Sequence, residues 1–126
     1  MKKVLIIDDE ENFCEFVKMC LELTHQYEVI MAHKPKKGLK MALKQHPDLI
    51  LLDLMMPGMT GFEVLEELKL DEETLSIPVI MLTAQNDDES KIASASRYCE
   101  DYIVKPVDTE VLREKVADVL SRSGKF

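Results

Sequence analysis

Short apolar runs alternate with amphipathic segments along this chain. Residues 3–8 form an apolar run rich in β-branched side chains, which is typical of a strand, and apolar residues then recur at helical spacing over residues 13–21. The same two patterns repeat until five strands and five helices are predicted. The other predicted strands are 27–32, 48–53, 77–83 and 101–105, and the other predicted helices are 35–45, 61–70, 87–97 and 108–121.

This strict alternation predicts an α/β fold with a parallel sheet. Each helix must carry the chain back across the sheet by a right-handed crossover, so helices should cover both faces. The runs 4–7, 49–52 and 79–82 are apolar throughout, as expected for strands buried on both faces. Residues 27–32 are interrupted by Glu28, which favours an edge strand. We therefore expect a three-layer sandwich around a five-stranded parallel sheet.

Composition restricts the partners of such a domain. The chain has 126 residues and a formal charge of -8, from 24 acidic and 16 basic side chains. An acidic domain of this kind is a poor ligand for nucleic-acid phosphates or for an anionic membrane surface. The apolar runs are too short to span a bilayer and no signal segment is evident, so we expect a cytoplasmic protein. The three cysteines, Cys14, Cys20 and Cys99, match no zinc spacing and are expected to be reduced thiols.

Polar residues stand at the carboxyl ends of four predicted strands. Asp8 and Asp9 follow the first strand, Asp53 the third, Thr83 the fourth and Lys105 the fifth. Each residue alone has an ordinary explanation, as a helix cap, a loop acid or a solvated lysine. Because ligands of open parallel sheets bind at this edge, the coincidence of all four strand ends favours one shared site.

The chemistry of this set indicates a magnesium-dependent phosphoryl acceptor. Three carboxylates in one cleft repel each other unless a cation neutralises them, and hard oxygen ligands suit Mg²⁺. A lysine charge and a threonine hydroxyl would stabilise a phosphoryl group beside that ion. The Asp53 carboxylate can attack phosphorus and become an aspartyl phosphate.

Four segments of the sequence carry a resemblance to a known family. They are 5–10 (LIIDDE), 51–61 (LLDLMMPGMTG), 78–84 (PVIMLTA) and 101–106 (DYIVKP), each at a predicted strand end. In this order they resemble the receiver domains of two-component response regulators, and the chain is similar to single-domain chemotaxis regulators. The match runs from about residue 3 to 120, and it implies a flavodoxin-like strand order of 2-1-3-4-5.

The resemblance also implies roles for the site residues. Asp53 would accept a phosphoryl group from a phosphohistidine on a sensor histidine kinase or a phosphotransfer protein. Mg²⁺ would be bound by Asp9 directly, by Asp8 through water, by Asp53 and by the backbone carbonyl of Met55. The domain would thus be a signalling phosphoprotein that assists its own phosphoryl transfer and hydrolysis, and not an enzyme acting on other substrates.

A switch is the second implication of the resemblance. Lys105, followed by a cis bond to Pro106, would pair with the phosphoryl oxygens, while Thr83 would hydrogen-bond the group and Tyr102 would turn inward. This movement would bias the face of the fourth helix, fifth strand and fifth helix toward a partner. Residues 92–96 (IASAS) contain few large apolar side chains, so the fourth helix is either lightly anchored and able to shift or simply a small helix packed through alanines.

The expected partners follow from this switch. They are a histidine kinase or phosphotransfer protein upstream, an effector protein or output domain downstream, and a second copy on phosphorylation. Neither nucleic acid nor a membrane is expected to bind this domain directly.

The expected domain is 1–121, and 122–126 is a polar tail or the start of a linker.

Three other functions occur on similar folds. A flavodoxin would need a hydroxyl-rich phosphate cradle where residues 8–11 are acidic. A phosphatase of the haloacid dehalogenase type would need a second Asp at the position of Met55. A phosphorylation-independent docking domain remains the alternative, although its usual sign would be loss of Asp53, Lys105 or one Asp of the acidic pair.

Overall fold

Five strands and five helices alternate along the described residues. The computed structural model describes residues 1–85, 87, 89–95 and 97–124. The strands are β1 (Lys2–Ile7), β2 (Tyr27–Ala32), β3 (Leu49–Asp53), β4 (Val79–Ala84) and β5 (Asp101–Lys105). The helices are α1 (Glu11–Glu22), α2 (Pro35–Gln45), α3 (Gly61–Leu70), α4 (Glu89–Ala95) and α5 (Thr109–Arg122).

All strand pairs of the sheet are parallel. The order is β2-β1-β3-β4-β5, so β2 is an edge strand, as its sequence predicted. Every residue of β3 is buried, and so are the last four of β1. The predicted α/β fold, its strand order and its five helices are therefore confirmed in the described part of the chain.

Two hydrophobic cores lie on opposite faces of the sheet. Because successive side chains of a strand point to opposite faces, Val4 and Ile6 pack with α1 and α5, whereas Leu5 and Ile7 pack with α2 and α3. Both faces of β1 are thus covered by helices. This covering leaves the ends of the strands as the places where polar side chains can gather.

The ends of some elements differ from the sequence prediction. The fourth strand begins at Val79 because Ile77 belongs to the preceding turn, where its N–H donates to the Thr74 carbonyl oxygen at 3.0 Å. The predicted helix 87–97 begins at Glu89, because Asp87 closes a turn by accepting a hydrogen bond from the Ala84 N–H at 2.6 Å. The two alternatives for this helix depend on residues 92–96, of which position 96 and the side chains at 94 and 95 lie outside the described part of the structure.

Two further expectations from the sequence concern the cysteines and the membrane. Cys14 and Cys20 are buried free thiols, and Cys99 is a half-buried one. Over the residues described, no helix is both long and apolar enough to cross a membrane.

Candidate functional site

Three carboxylates meet at the carboxyl edge of the sheet. Asp8 follows β1 and Asp53 ends β3, two adjacent strands in which Ile7 pairs with Leu52. One carboxylate oxygen from each of Asp8, Asp9 and Asp53 lies within 4.8 Å of the other two. Asp8 is fully buried and Asp53 is 7% exposed, whereas Asp9 is open to solvent. The convergence expected from the strand order is therefore present in the structure.

The loop that carries the acidic pair is held by several hydrogen bonds to Asp8. The Glu10 N–H donates to Asp8 Oδ1 at 2.9 Å, and the Asp8 N–H donates to the Ala32 carbonyl oxygen at 3.0 Å. The Asp8 carbonyl oxygen accepts from Cys14 Sγ at 3.4 Å and from His33 Nδ1 at 3.3 Å. Sequence reasoning assigned no role to Cys14 or His33, because neither belongs to a recognisable motif.

Lys105 places its charge among the carboxylates. Its Nζ lies 2.8 Å from Asp8 Oδ2, 3.0 Å from Glu10 Oε1 and 3.5 Å from Asp53 Oδ1. The ammonium also lies 4.4 Å from the centroid of the Phe13 ring. The lysine therefore bonds most closely to Asp8 and Glu10 and is more distant from Asp53.

The peptide bond after Lys105 has the geometry that the resemblance implied. The Lys105–Pro106 peptide is cis. Only 17% of the lysine side chain is exposed, so its ammonium belongs to the site and is not a solvated surface charge.

The electrostatics of this cluster show a deficit of positive charge. Burial, and then the charge of Asp8, raise the pKa of Asp53 from 3.8 to about 7, although Lys105 opposes the rise. Burial likewise raises the pKa of Asp8 despite its hydrogen bond to Lys105. Burial lowers the pKa of Lys105, but hydrogen bonds to Asp8 and Glu10 outweigh it and raise the pKa above its ordinary value.

These residues fit a divalent cation. Carboxylate oxygens are hard ligands, and a second positive charge would relieve the repulsion that raises the pKa of Asp53. The three aspartates, Asp8, Asp9 and Asp53, are therefore a group that could hold a metal ion.

Thr83 carries a buried hydroxyl for which no described residue supplies a hydrogen bond. It is 1% exposed, and its Oγ1 has no hydrogen-bond partner within the part of the chain that is described. An unpaired buried polar group is costly, so its presence beside a cleft favours a ligand that supplies the missing bond. Thr83 pairs with Val104 across β4 and β5, one residue before Lys105.

Comparison with known protein families assigns the domain. Residues 4–117 match the model of the response regulator receiver domain. The chain belongs to this family.

Relatives of this receiver domain include larger regulators. Response regulator ArlR of Staphylococcus saprophyticus is 40% identical over 97% of this chain and 54% of its own length. The phosphate regulon transcriptional regulatory protein PhoB of Pseudomonas aeruginosa is 39% identical over 98% of this chain and 53% of its own length. The receiver domain thus spans about half the length of these curated relatives.

Solved structures share the whole fold. A CheY-like receiver domain protein of Methanospirillum hungatei superposes with a TM-score of 0.88 at 30% identity, over 99% of this chain and 98% of that one. The chemotaxis protein CheY4 of Vibrio cholerae gives 0.85 at 32% identity, over 95% and 99%. The predicted fold and the predicted family are both confirmed.

A cleft adjoins the acidic site of this receiver domain. It has a volume of about 620 Å³ and is lined by residues of β4, α4 and β5, including Thr83, Ile92, Tyr102 and Val104. The Tyr102 side chain is 44% exposed, and Lys115 Nζ lies 5.5 Å from the centroid of its ring. The cleft gives the Tyr102 ring a space beside Thr83 that the ring does not fill.

The loop after Asp53 is pressed against the start of α3. A Cβ at Gly61 would collide with the Asp53 carbonyl oxygen and lie 2.8 Å from Leu54 Cα, so only glycine permits this approach. The Gly61 N–H donates to the Leu54 carbonyl oxygen at 2.7 Å. Met55 lies within this loop with its side chain 60% exposed, which leaves side-chain identity unconstrained there.

Proposed function

We propose that this receiver domain accepts a phosphoryl group on Asp53 from a phosphohistidine of a partner histidine kinase or phosphotransfer protein. The proposal is supported chiefly by the groups that surround the Asp53 carboxylate. Two further carboxylates and the Lys105 ammonium lie beside it, and Thr83, whose hydroxyl has no partner among the described residues, lies near the end of the neighbouring strand β4. This set would bind a divalent cation and a phosphoryl group together.

In this proposal Mg²⁺ would be held directly by Asp9, Asp53 and the backbone carbonyl of Met55, and by Asp8 through water. When bound, the ion supplies positive charge against both the carboxylates and the phosphoryl oxygens. The support is the hard-oxygen donor set and the raised pKa of Asp53, which reports a shortage of positive charge.

The transfer step uses the residues as follows. An Asp53 carboxylate oxygen forms a bond to phosphorus while the phosphorus–nitrogen bond of the phosphohistidine breaks, and the electron pair returns to the imidazole nitrogen. Lys105, which lies 3.5 Å from Asp53 Oδ1, pairs with the phosphoryl oxygens, and the Thr83 hydroxyl donates to one of them. Hydrolysis of the aspartyl phosphate later resets the domain.

Phosphorylation is proposed to switch the neighbouring face. The Thr83 hydroxyl moves toward the phosphoryl group, and Tyr102 turns from its exposed position into the cleft that Thr83 and Ile92 line. The face of α4, β5 and α5 then binds a downstream effector protein, an output domain or a second phosphorylated copy.

The place of the domain in a larger system is also a proposal. The name of the PhoB relative describes a transcriptional regulator, and this chain covers about half of it. Because the chain carries a net charge of -8, we propose that residues 1–121 act in the cytoplasm on a protein partner, not on nucleic acid, with 122–126 as a tail or linker.

Intact-mass measurement tests the acceptor directly. The protein is incubated with a small-molecule phosphodonor and Mg²⁺, and one base-labile phosphoryl adduct is expected. Asp53→Asn should remove the adduct, whereas Asp118→Asn, at an exposed ion pair with Arg122 on α5, should retain it. An adduct that survives in Asp53→Asn, or none in the wild type, would refute the proposal and favour the phosphorylation-independent docking domain.

A further inference from the structure

Helix α2 and its flanks concentrate positive charge in an acidic chain. Residues 33–46 contain five lysines and no acidic side chain. The other 112 residues hold 24 acidic and 11 basic side chains. All five lysines of this segment are exposed.

Four of these lysines share one side of the helix. Lys36, Lys40 and Lys44 follow each other at intervals of four residues, and Lys37 lies next to them, so they occupy an arc of about 100°. We call these four residues the basic stripe. The opposite side of α2 packs into the core through Gly38 and Ala42.

The basic stripe has no counter-charge in the described part of its own molecule. Among the described residues, none of its lysines forms an ion pair, whereas Lys18, Lys105 and Lys115 each do. Like charges four residues apart destabilise a helix, so the stripe opposes its own helix unless an anion lies against it.

The neighbouring helix carries the opposite charge. Helix α3 packs beside α2 in the same layer. Its outward side and the turn that follows expose acidic side chains, and Leu70 lies among them with 77% of its surface exposed. We call this set the acidic face: Glu63, Glu66, Glu67, Glu72 and Glu73.

The acidic face likewise forms no ion pair with any described residue. Lys69 is the one basic residue between Gly61 and Leu75, and its Nζ donates to the carbonyl oxygens of Leu75 and Ile77 at 3.2 Å each. A shallow concavity of about 540 Å³ opens between Glu67, Leu70 and Glu73.

From this juxtaposition we infer that a second copy of the chain docks on α2 and α3. Both helices return antiparallel to the same parallel strands, so they run side by side in one direction. A two-fold axis that is parallel to the two helices and midway between them places the basic stripe of each copy over the acidic face of the other. The interface is then self-complementary, and every charge match occurs twice.

A second copy fits better than another polyanion. A nucleic acid or an anionic membrane would meet the basic stripe but would be repelled by the acidic face beside it. The apolar side of α2 at Gly38 is packed against the sheet, since a Cβ there would lie 2.6 Å from Ile7 Cδ1, so that side is not available to a bilayer. Only a partner with both charges, in this order, satisfies both surfaces.

The interface should be small and its lifetime short. Helices of 11 and 10 residues are each only about 16 Å long, so the contact belongs to the small, transient class. This association involves neither Asp53 nor the face of α4, β5 and α5, so it is independent of the proposed phosphorylation.

Charge reversal followed by sedimentation velocity tests this association. Lys36→Glu with Lys40→Glu reverses two charges of the basic stripe, and Glu66→Lys with Glu67→Lys reverses two of the acidic face; Glu63 is spared because it caps α3 with Thr60. The wild type should show a sedimentation coefficient that rises with concentration, and each double variant should lose that rise. An equimolar mixture of the two variants, and the chain with all four substitutions, should regain it.

Two controls distinguish pairing through these helices from a general effect of net charge or of phosphorylation. Arg97→Glu with Arg122→Glu changes the net charge as much as the lysine variant does but leaves both surfaces intact, and it should self-associate like the wild type. The wild-type series is repeated in Asp53→Asn without phosphodonor, where the same rise is expected.

A wild type that stays monomeric at all concentrations, or a mixture that does not regain association, would overturn the inference. Binding of the monomeric wild type to anionic vesicles or duplex DNA through Lys36 and Lys40 would overturn it too.

Discussion

Asp53 shows how a single residue can weaken the fold that it serves. Its carboxylate is buried beside Asp8, and burial together with that charge raises its pKa to about 7. The neutral form is therefore preferred in the folded, metal-free protein below that pH, whereas an acceptor must be ionised. A cation bound beside Asp53 would recover this free energy, because its positive charge favours the ionised carboxylate.

The metal-free protein should therefore lose stability as the pH rises. Between the unfolded value of 3.8 and the folded value of about 7, the folded state binds more protons, so the free energy of unfolding falls with increasing pH. Asp53→Asn should remove this fall. At about 1.4 kcal/mol per pKa unit, it should raise the free energy of unfolding at pH 8 by about 2–4 kcal/mol, and change it little at pH 4.

Urea unfolding in the presence of a chelator measures this difference. Asp118→Asn, which loses an exposed charge, should leave the pH dependence as in the wild type. Equal stability of Asp53→Asn and the wild type at pH 8 would show that the burial of Asp53 carries no such cost.

At the level of the single residue, the sequence motifs predicted which residues form the site but not which contacts those residues make. The strand ends located Asp8, Asp53 and Lys105, because parallel strands bring their carboxyl ends to one edge. The hydrogen bond from His33 to the Asp8 carbonyl and the ion pair of Glu10 with Lys105 join distant segments. Such contacts depend on loop conformations that local periodicity does not specify.

The sequence predicted which segments are helices and which are strands, but the residues at which they begin and end depend on local hydrogen bonds. The spans 27–32, 35–45, 61–70 and 101–105 agree with the structure, since apolar periodicity and flanking turn residues mark them clearly. The fourth helix begins two residues later than predicted because the side chain of Asp87 accepts a hydrogen bond from the Ala84 N–H and so closes a turn before the helix.

The junction of β3 and α3 is an element-scale constraint that can be tested. Gly61→Ala should lower the free energy of unfolding by about 2 kcal/mol, because the added methyl group meets the Asp53 and Leu54 backbone and cannot move aside. It should also reduce phosphorylation of Asp53, since the displaced backbone carries the acceptor.

Gly58→Ala is the matched control in the same loop. A Cβ there has no atom within 4 Å, so its cost is limited to the left-handed backbone at φ 87°, about 1 kcal/mol. Urea unfolding compares the two, and intact mass compares their phosphoryl adducts. A Gly61→Ala protein as stable and as readily phosphorylated as the wild type would contradict the packing argument.

On the scale of the whole molecule, the two faces of the sheet stabilise the fold, whereas its carboxyl edge carries the candidate functional site. Both faces are filled by apolar side chains with helices over them, while the carboxyl edge holds a carboxylate of raised pKa and a hydroxyl that no described residue pairs with. Alternation along the sequence predicted the parallel sheet, but the strand order came from the resemblance, because alternation alone permits several orders. The unpaired hydroxyl was not predictable, since it depends on what the fold leaves around Thr83.

Two buried threonines provide a test of this division. Thr83 and Thr74 are both 1% exposed, but Thr74 Oγ1 donates to the Leu68 carbonyl oxygen at 2.7 Å, whereas Thr83 Oγ1 has no partner among the residues described. Thr74→Val should therefore lower the free energy of unfolding by about 1–2 kcal/mol, whereas Thr83→Val should raise it by about 1 kcal/mol. The same substitution thus has opposite signs at two equally buried sites, because only one hydroxyl is satisfied by the fold.

In the phosphorylated protein we expect the Thr83→Val variant to be the impaired one, because it has no hydroxyl to couple the phosphoryl group to Tyr102. The Tyr102 ring signals in NMR spectra should then respond to phosphodonor and Mg²⁺ in Thr74→Val but not in Thr83→Val. If Thr83→Val destabilises the unphosphorylated protein as much as Thr74→Val does, the Thr83 hydroxyl is part of the resting fold and not held in reserve for a ligand.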